Sequence, residues 1–257
     1  MANWTHIKTI DEVIQALDGI IEWSIEQNSR IGYFAVLYHR VTCRVKDGIS
    51  KNEFEDGPRM ERLDVIFALR FIHAWEQWVK QSQPSQSWQV AFQASSNKRS
   101  VMLQHILLGI NAHINLDLGI ATFETMGGKP SIEDILNDFE KINYILASMV
   151  DEIEQDMSKL SPMIWLVDKF GKGNQDKLAT FSIDIARTGA WYFACQLQKC
   201  PPHELKNQIE LRDKSIANLA SKLAHPKNWV LRFMVGLASL FEWRQPKKNI
   251  EVFRKLV

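Results

Sequence analysis

Apolar residues recur three and four apart along almost the whole chain, and no stretch sustains strict alternation. That period is helical, so the chain reads as all-α. Punctuation then cuts it into elements. Thr9 with Glu12 three residues on forms a capping-box pattern and opens a helix running from Ile10 to Gln27. A second helix is predicted from Ile31 to about Val45, followed by the polar loop KDGISKNEFEDGP. Pro58 suits the first turn of a third helix that continues to Val79. After SQPSQS a fourth helix, kinked or broken near SSNKRS, leads into the segment HILLGINAHINLDLGIA and ends at MGGKPS. Further helices are predicted from Ser131 to about Leu160, Asp176 to Lys199, His203 to Leu223 and Pro226 to Trp243, with a polar tail over 244–257. No internal repeat of solenoid length is present. The expectation is one compact multi-helix bundle over 1–257, built around a buried central helix near 101–124.

That central segment changes the picture. Its aliphatic residues go all the way round a helix, with Leu107 and Ile114 on one side and Leu108, Leu116 and Ile120 on others. A helix of that kind is buried, and its polar residues must find partners or carry a desolvation cost of about a few kcal/mol each. They are His105, Asn111, His113, Asn115 and Asp117. His113 and Asp117 are four apart and stack on one face, and His105 lies about 80° round from His113. Gly109 and Ala112 leave room on that side for a neighbouring helix, an ion or a small ligand.

Two readings stay open. In one, the residues form a satisfied hydrogen-bond network. In the other, His105, His113 and Asp117 bind a divalent metal such as zinc, iron or manganese, which would activate water for hydrolysis. Asn111 lies on the far side from Asp117 and would act only indirectly.

Other helices carry polar groups on their apolar stripes. Asp64 falls among Met60, Phe67, Phe71 and Trp78, and Tyr38 and Thr42 share a stripe with Ile31, Ala35 and Val45. Asp184 shares a face with Phe181, Ile185, Thr188 and Tyr192, with Arg187 close by. Asp64, Asp184, Arg187 and Tyr38 are therefore the candidate catalytic groups, and the alternative for each is a structural ion pair or interhelical hydrogen bond.

Composition trims the alternatives. With 31 basic and 30 acidic residues the net charge is +1, so no basic surface for nucleic acid is expected. Three widely spaced cysteines, Cys43, Cys195 and Cys200, suggest neither a disulfide framework nor a zinc ribbon. The polar start MANWTHIKTIDEV does not read as a signal peptide, and no apolar run reads as a membrane span; a cytoplasmic location is expected. Nine tryptophans fit a large helical core. The sequence has no ExxH pair, adjacent His-Asp, HExxH, GxSxG or dinucleotide fingerprint.

NAHINLDLGIA preceded by LLG, GYFAVLYHRVT, FEDGPRMERLDVIFALRF with a downstream Trp88, and ARTGAW together resemble the family of helical proteins named DUF5995. The resemblance covers most of the chain. It implies that Tyr38, Thr42, Arg59, Asp64, His105, Asn111, His113, Asp117, Arg187 and Trp191 are the positions to watch, and it implies no reaction. Two functions are carried forward: a metal-dependent hydrolase, and a non-catalytic protein that binds an apolar small molecule or a protein partner.

Overall fold

The computed structural model describes residues 7–98, 100–127, 131–160, 183–225 and 245–255, and every regular element among them is helical. The capping box forms as the sequence requires: Thr9 Oγ1 accepts from Glu12 N at 3.3 Å and Glu12 Oε2 accepts from Thr9 N at 3.1 Å. Helix α1 (Ile10–Glu26) then buries Val13, Ala16, Leu17, Ile20 and Ile21. Helix α2 (Ile31–Ser50) runs past the expected end at Val45, with Lys46, a good helix former, on the solvent side and Gly48 buried. Helix α3 (Gly57–Val79) starts at Asp56, whose side chain accepts from Arg59 N at 2.9 Å, with Pro58 in the first turn.

The fourth predicted helix is broken. A short α4 (Gln86–Ala94) ends in turns at Ser95 and Ser96. Its first amides, Gln86 N and Ser87 N, donate to the buried Asp213 carboxylate at 2.6 and 2.9 Å. The chain then enters a continuous rod of 25 residues, Met102–Met126. It consists of α5 (Met102–Ala112), a wider π-helical turn (His113–Leu118) and α6 (Gly119–Met126), and it stops at Gly127, where φ is +56°.

By length and composition this rod could cross a membrane, which amends the sequence expectation. Within the fold it is covered by protein: α2, α3 and α4 pack on it together with α8 (Ile183–Lys199) and α9 (Leu205–Ala224). Glycine permits two of these contacts. A Cβ at Gly109 would lie 2.4 Å from the Phe34 ring, and one at Gly119 would lie 2.8 Å from the Ala190 carbonyl oxygen. A 3₁₀ turn (Ile132–Ile135) leads into α7 (Leu136–Leu160). The expected helix over Pro226–Trp243, the first residues of that at Asp176–Lys199, and the loops between 161 and 182 lie outside the described residues.

Where a polar tail is expected, the chain forms α10 (Pro246–Lys255). It packs against α1, α2 and α7 and buries Ile250 and Phe253 completely. Two apolar residues three apart among lysines and arginines are too few to show a period, yet they suffice for one buried stripe. Arg254 adds a 2.9 Å ion pair with Asp18 and a second with Glu22. Phe253→Ala should cost about 3 to 5 kcal/mol in a urea titration. A loss below about 1 kcal/mol would show that α10 does not hold the core together in solution.

Candidate functional site

Asp117 is the most committed polar group of the rod. Its Oδ1 accepts from Arg70 Nε at 2.9 Å and its Oδ2 from the Trp88 indole N–H at 2.7 Å. Burial alone would push its carboxyl up, but Arg70, His113 and Trp88 outweigh that and hold it below the ordinary value. His113, one turn before, has Nδ1 3.5 Å from Asp117 Oδ2, too long for a well-formed hydrogen bond. Its ring lies flat on Phe67, with centroids 3.5 Å apart and planes 7° from parallel, and Tyr38 meets it edge-on at 4.4 Å. Burial lowers its pKa, against the opposing pull of Asp117, and keeps the imidazole neutral. The π-helical turn begins at this residue, and such turns recur at functional sites.

The far side of the rod is a separate network. Asn111 donates to the Ile216 carbonyl at 3.2 Å and accepts from Asn115 at 3.2 Å, while Arg212 Nε donates to the Asn115 carbonyl at 3.0 Å. These bonds pin α9 to the rod. Arg59 serves another clamp: it and the amides of Glu55 and Asp56 all donate to Asp138, joining the start of α3 to α7.

Tyr38, Asp64, His113 and Arg187, from four elements, border one cavity of about 270 Å³ whose other described walls are apolar. Leu63 and Met60 from α3, Val41 from α2, Ile110 and Ile114 from the rod and Leu146 from α7 are among them. Among the described residues Asp64 Oδ2 and His113 Nε2 are buried without a hydrogen-bond partner, while the Tyr38 hydroxyl and Thr42 Oγ1, one turn apart on α2, interact with each other without a well-formed bond. Burial pushes the Asp64 carboxyl up to about 8, with the negative charge of Glu61 adding to it. The Tyr38 hydroxyl is raised well above its usual value by burial and then by Asp64. Arg187 donates to Asn143 Oδ1 and to the Phe139 carbonyl, and its guanidinium lies 4.5 Å from the Phe139 ring centre. Trp191 packs on the same ring at 5.3 Å.

The structure thus brings together Tyr38, Asp64, His113 and Arg187 and leaves others apart. Asp184 is a correction: it is exposed, as are Ile185, Thr188 and Tyr192. Helix α8 turns its other face inward, with Ala186, Ala190 and Ala194 beside Arg187, because small residues let it approach Gly119 closely. His105 does not join His113 either. It borders a small gap near Arg30, Phe92 and Trp88, where burial pushes it down to about 3 and neither ring nitrogen makes a well-formed hydrogen bond.

Among the described residues no three His, Cys, Asp or Glu side chains converge as metal ligands. The expected set of His105, His113 and Asp117 fits a divalent ion poorly, since the two histidines face different gaps and both Asp117 oxygens are held by donors. Sequence reasoning missed Arg70 and Asn143. Arg70 had a signal, as a charge inside the apolar run VIFALRF; Asn143 had none.

Fold and site together define an all-helical protein whose central rod borders an apolar cavity with a few orphaned polar groups. The chain belongs to the DUF5995 family: the family model, described as "Family of unknown function (DUF5995)", matches residues 10–226. No curated protein matches the chain, and no solved structure does.

The Asp64 environment predicts a pH effect with a definite sign. The folded state keeps a proton to about pH 8 that the unfolded chain releases near 3.8. Stability from this group is complete below the unfolded value and is lost as pH rises through the folded one. Relative to Asp64→Asn, the parent should lose stability steadily from pH 5 to pH 8 and level off above. A constant difference across that range in denaturation curves would place the Asp64 carboxyl in a wet, ordinary environment.

Proposed function

We propose that this protein binds a small, mostly apolar molecule in the central cavity, with an oxygen of that molecule directed at Tyr38, Asp64 and His113. The cavity itself carries the reading. Its described walls are apolar apart from Tyr38, Asp64, His113 and Arg187. Greasy walls with few polar groups suit an organic ligand better than water. The first three of those polar side chains have unsatisfied hydrogen-bonding atoms. A carboxylic acid that keeps its proton near neutral pH can donate a hydrogen bond, so Asp64 suits a carbonyl or hydroxyl oxygen. Metal-assisted hydrolysis has no observation in its favour, with Asp117 engaged by Arg70 and Trp88.

An environment-sensitive apolar dye, 1-aminoanthracene, tests this directly. It should bind the parent with a blue-shifted rise in fluorescence. Val41→Phe, which adds volume at the cavity wall, should weaken binding about tenfold or more, a change of about 1.4 kcal/mol, without lowering the melting temperature. No dye binding to the parent, or equal binding to both, would overturn the reading.

A further inference from the structure

Of Arg40, Arg59, Arg70 and Arg187, the first three pair with a carboxylate and the last does not, among the described residues; the less buried Arg212 likewise has a carbonyl and the Phe193 ring. Arg40 pairs with Asp156 at 3.0 Å, Arg59 with Asp138 at 2.7 Å and Arg70 with Asp117 at 2.9 Å. Arg187 is as buried as any of them, at 4% exposure, and its hydrogen-bond partners are two neutral oxygens. A buried cation with neutral partners alone is costly, because carbonyl and amide oxygens do not replace the counter-charge. Its burial is expressed in a pKa brought down to about 9, with only the exposed Asp184 opposing. The guanidinium nevertheless remains charged at neutral pH.

The geometry says which part of Arg187 remains to be used. Nε is held by Asn143 and Nη2 by the Phe139 carbonyl, and the guanidinium is stacked on the Phe139 ring. Its plane is therefore fixed by α7, which takes up Nε and Nη2. The side chain lines the same cavity as Asp64. Asp64 does not balance it: that carboxyl feels Glu61 and no arginine, and burial holds it protonated. The described lining therefore carries one net positive charge at one place and neutral donors at another.

We infer that the natural occupant is a small monocarboxylate whose head pairs with Arg187 and whose far end carries an oxygen reaching Tyr38, Asp64 and His113. This rests on the reading that the cavity binds a ligand. One fixed cation matches one negative charge, whereas a phosphate dianion would bring a second charge into an apolar space with nothing to balance it. A guanidinium with a fixed plane is also a good partner for a carboxylate oxygen. The class is thus an aliphatic or alicyclic acid with a hydroxyl or oxo group at the opposite end.

The test is competition against 1-aminoanthracene at pH 7 by 8-hydroxyoctanoate and by 1,8-octanediol, which differ only at the end meant for Arg187. The parent should bind the hydroxy acid about tenfold or more tightly than the diol. That ratio should fall to about one in Arg187→Met and be partly kept in Arg187→Lys. Equal affinity in the parent, or a preference that survives in Arg187→Met, would overturn the assignment of the carboxylate while leaving the cavity as a binding site. Dye binding that neither compound displaces would also overturn the assignment, and failure of the dye itself to bind would bring down both readings. If Arg187→Met does not fold, the parent ratio and the lysine variant decide.

Discussion

The burial of one carboxylate governs the arrangement around it. Asp117 lies in the middle of an apolar rod, where an isolated charge would be untenable, and it is stabilised only because α3 brings Arg70 and α4 brings Trp88 to its two oxygens. Each of those deliveries depends on another contact. Trp88 is placed because Asp213 of α9 receives the first amides of α4. With α3 drawn to the rod, Phe67 lies flat on His113, and the wall of the cavity is set. A single charge thereby fixes the register of four helices, which non-directional packing of leucines would leave loose.

The remaining buried polar groups divide by whether the protein answers them. Asp138, Asp156 and Asp213 each receive hydrogen bonds from other parts of the chain. They are joints. Among the described residues Asp64 and His113 retain unanswered atoms, Tyr38 meets only Thr42, and Arg187 is hydrogen-bonded by neutral groups alone; all four border the same cavity. Unsatisfied atoms occur elsewhere too, at His105 and Trp75, so what marks the site is that several such groups from different helices border one cavity.

Much of the scaffold is legible in the sequence because its causes are local. The Thr9 capping box, Pro58 at the start of α3 and the all-round apolar character of the rod are short-range signals, and the structure bears them out. The face of α8 is not legible, since Ile185 and Tyr192 form as plausible a stripe as Ala186, Ala190 and Ala194; the choice is made by Gly119 on another helix. Spacing along one helix likewise puts His105 near His113 in angle but cannot say that Phe34, packed at Gly109, divides the space between them. The family resemblance marks positions and not roles: Arg59 and Asn111 turn out to be fasteners, while Asp64 and Arg187 face the cavity.

Helix α10 sets a schedule as well as a contact. Asn249 donates to Tyr33, 216 residues earlier, and Arg254 reaches Asp18 across 236. During synthesis, the groove between α1 and α2 that receives Ile250 and Phe253 is made long before its filling emerges from the ribosome. Contacts this distant in sequence slow folding, so the first two helices must wait as an open, sticky surface. The seal on that groove is therefore supplied by a part of the chain more than 200 residues away, so a break anywhere between them would uncouple the groove from its cover.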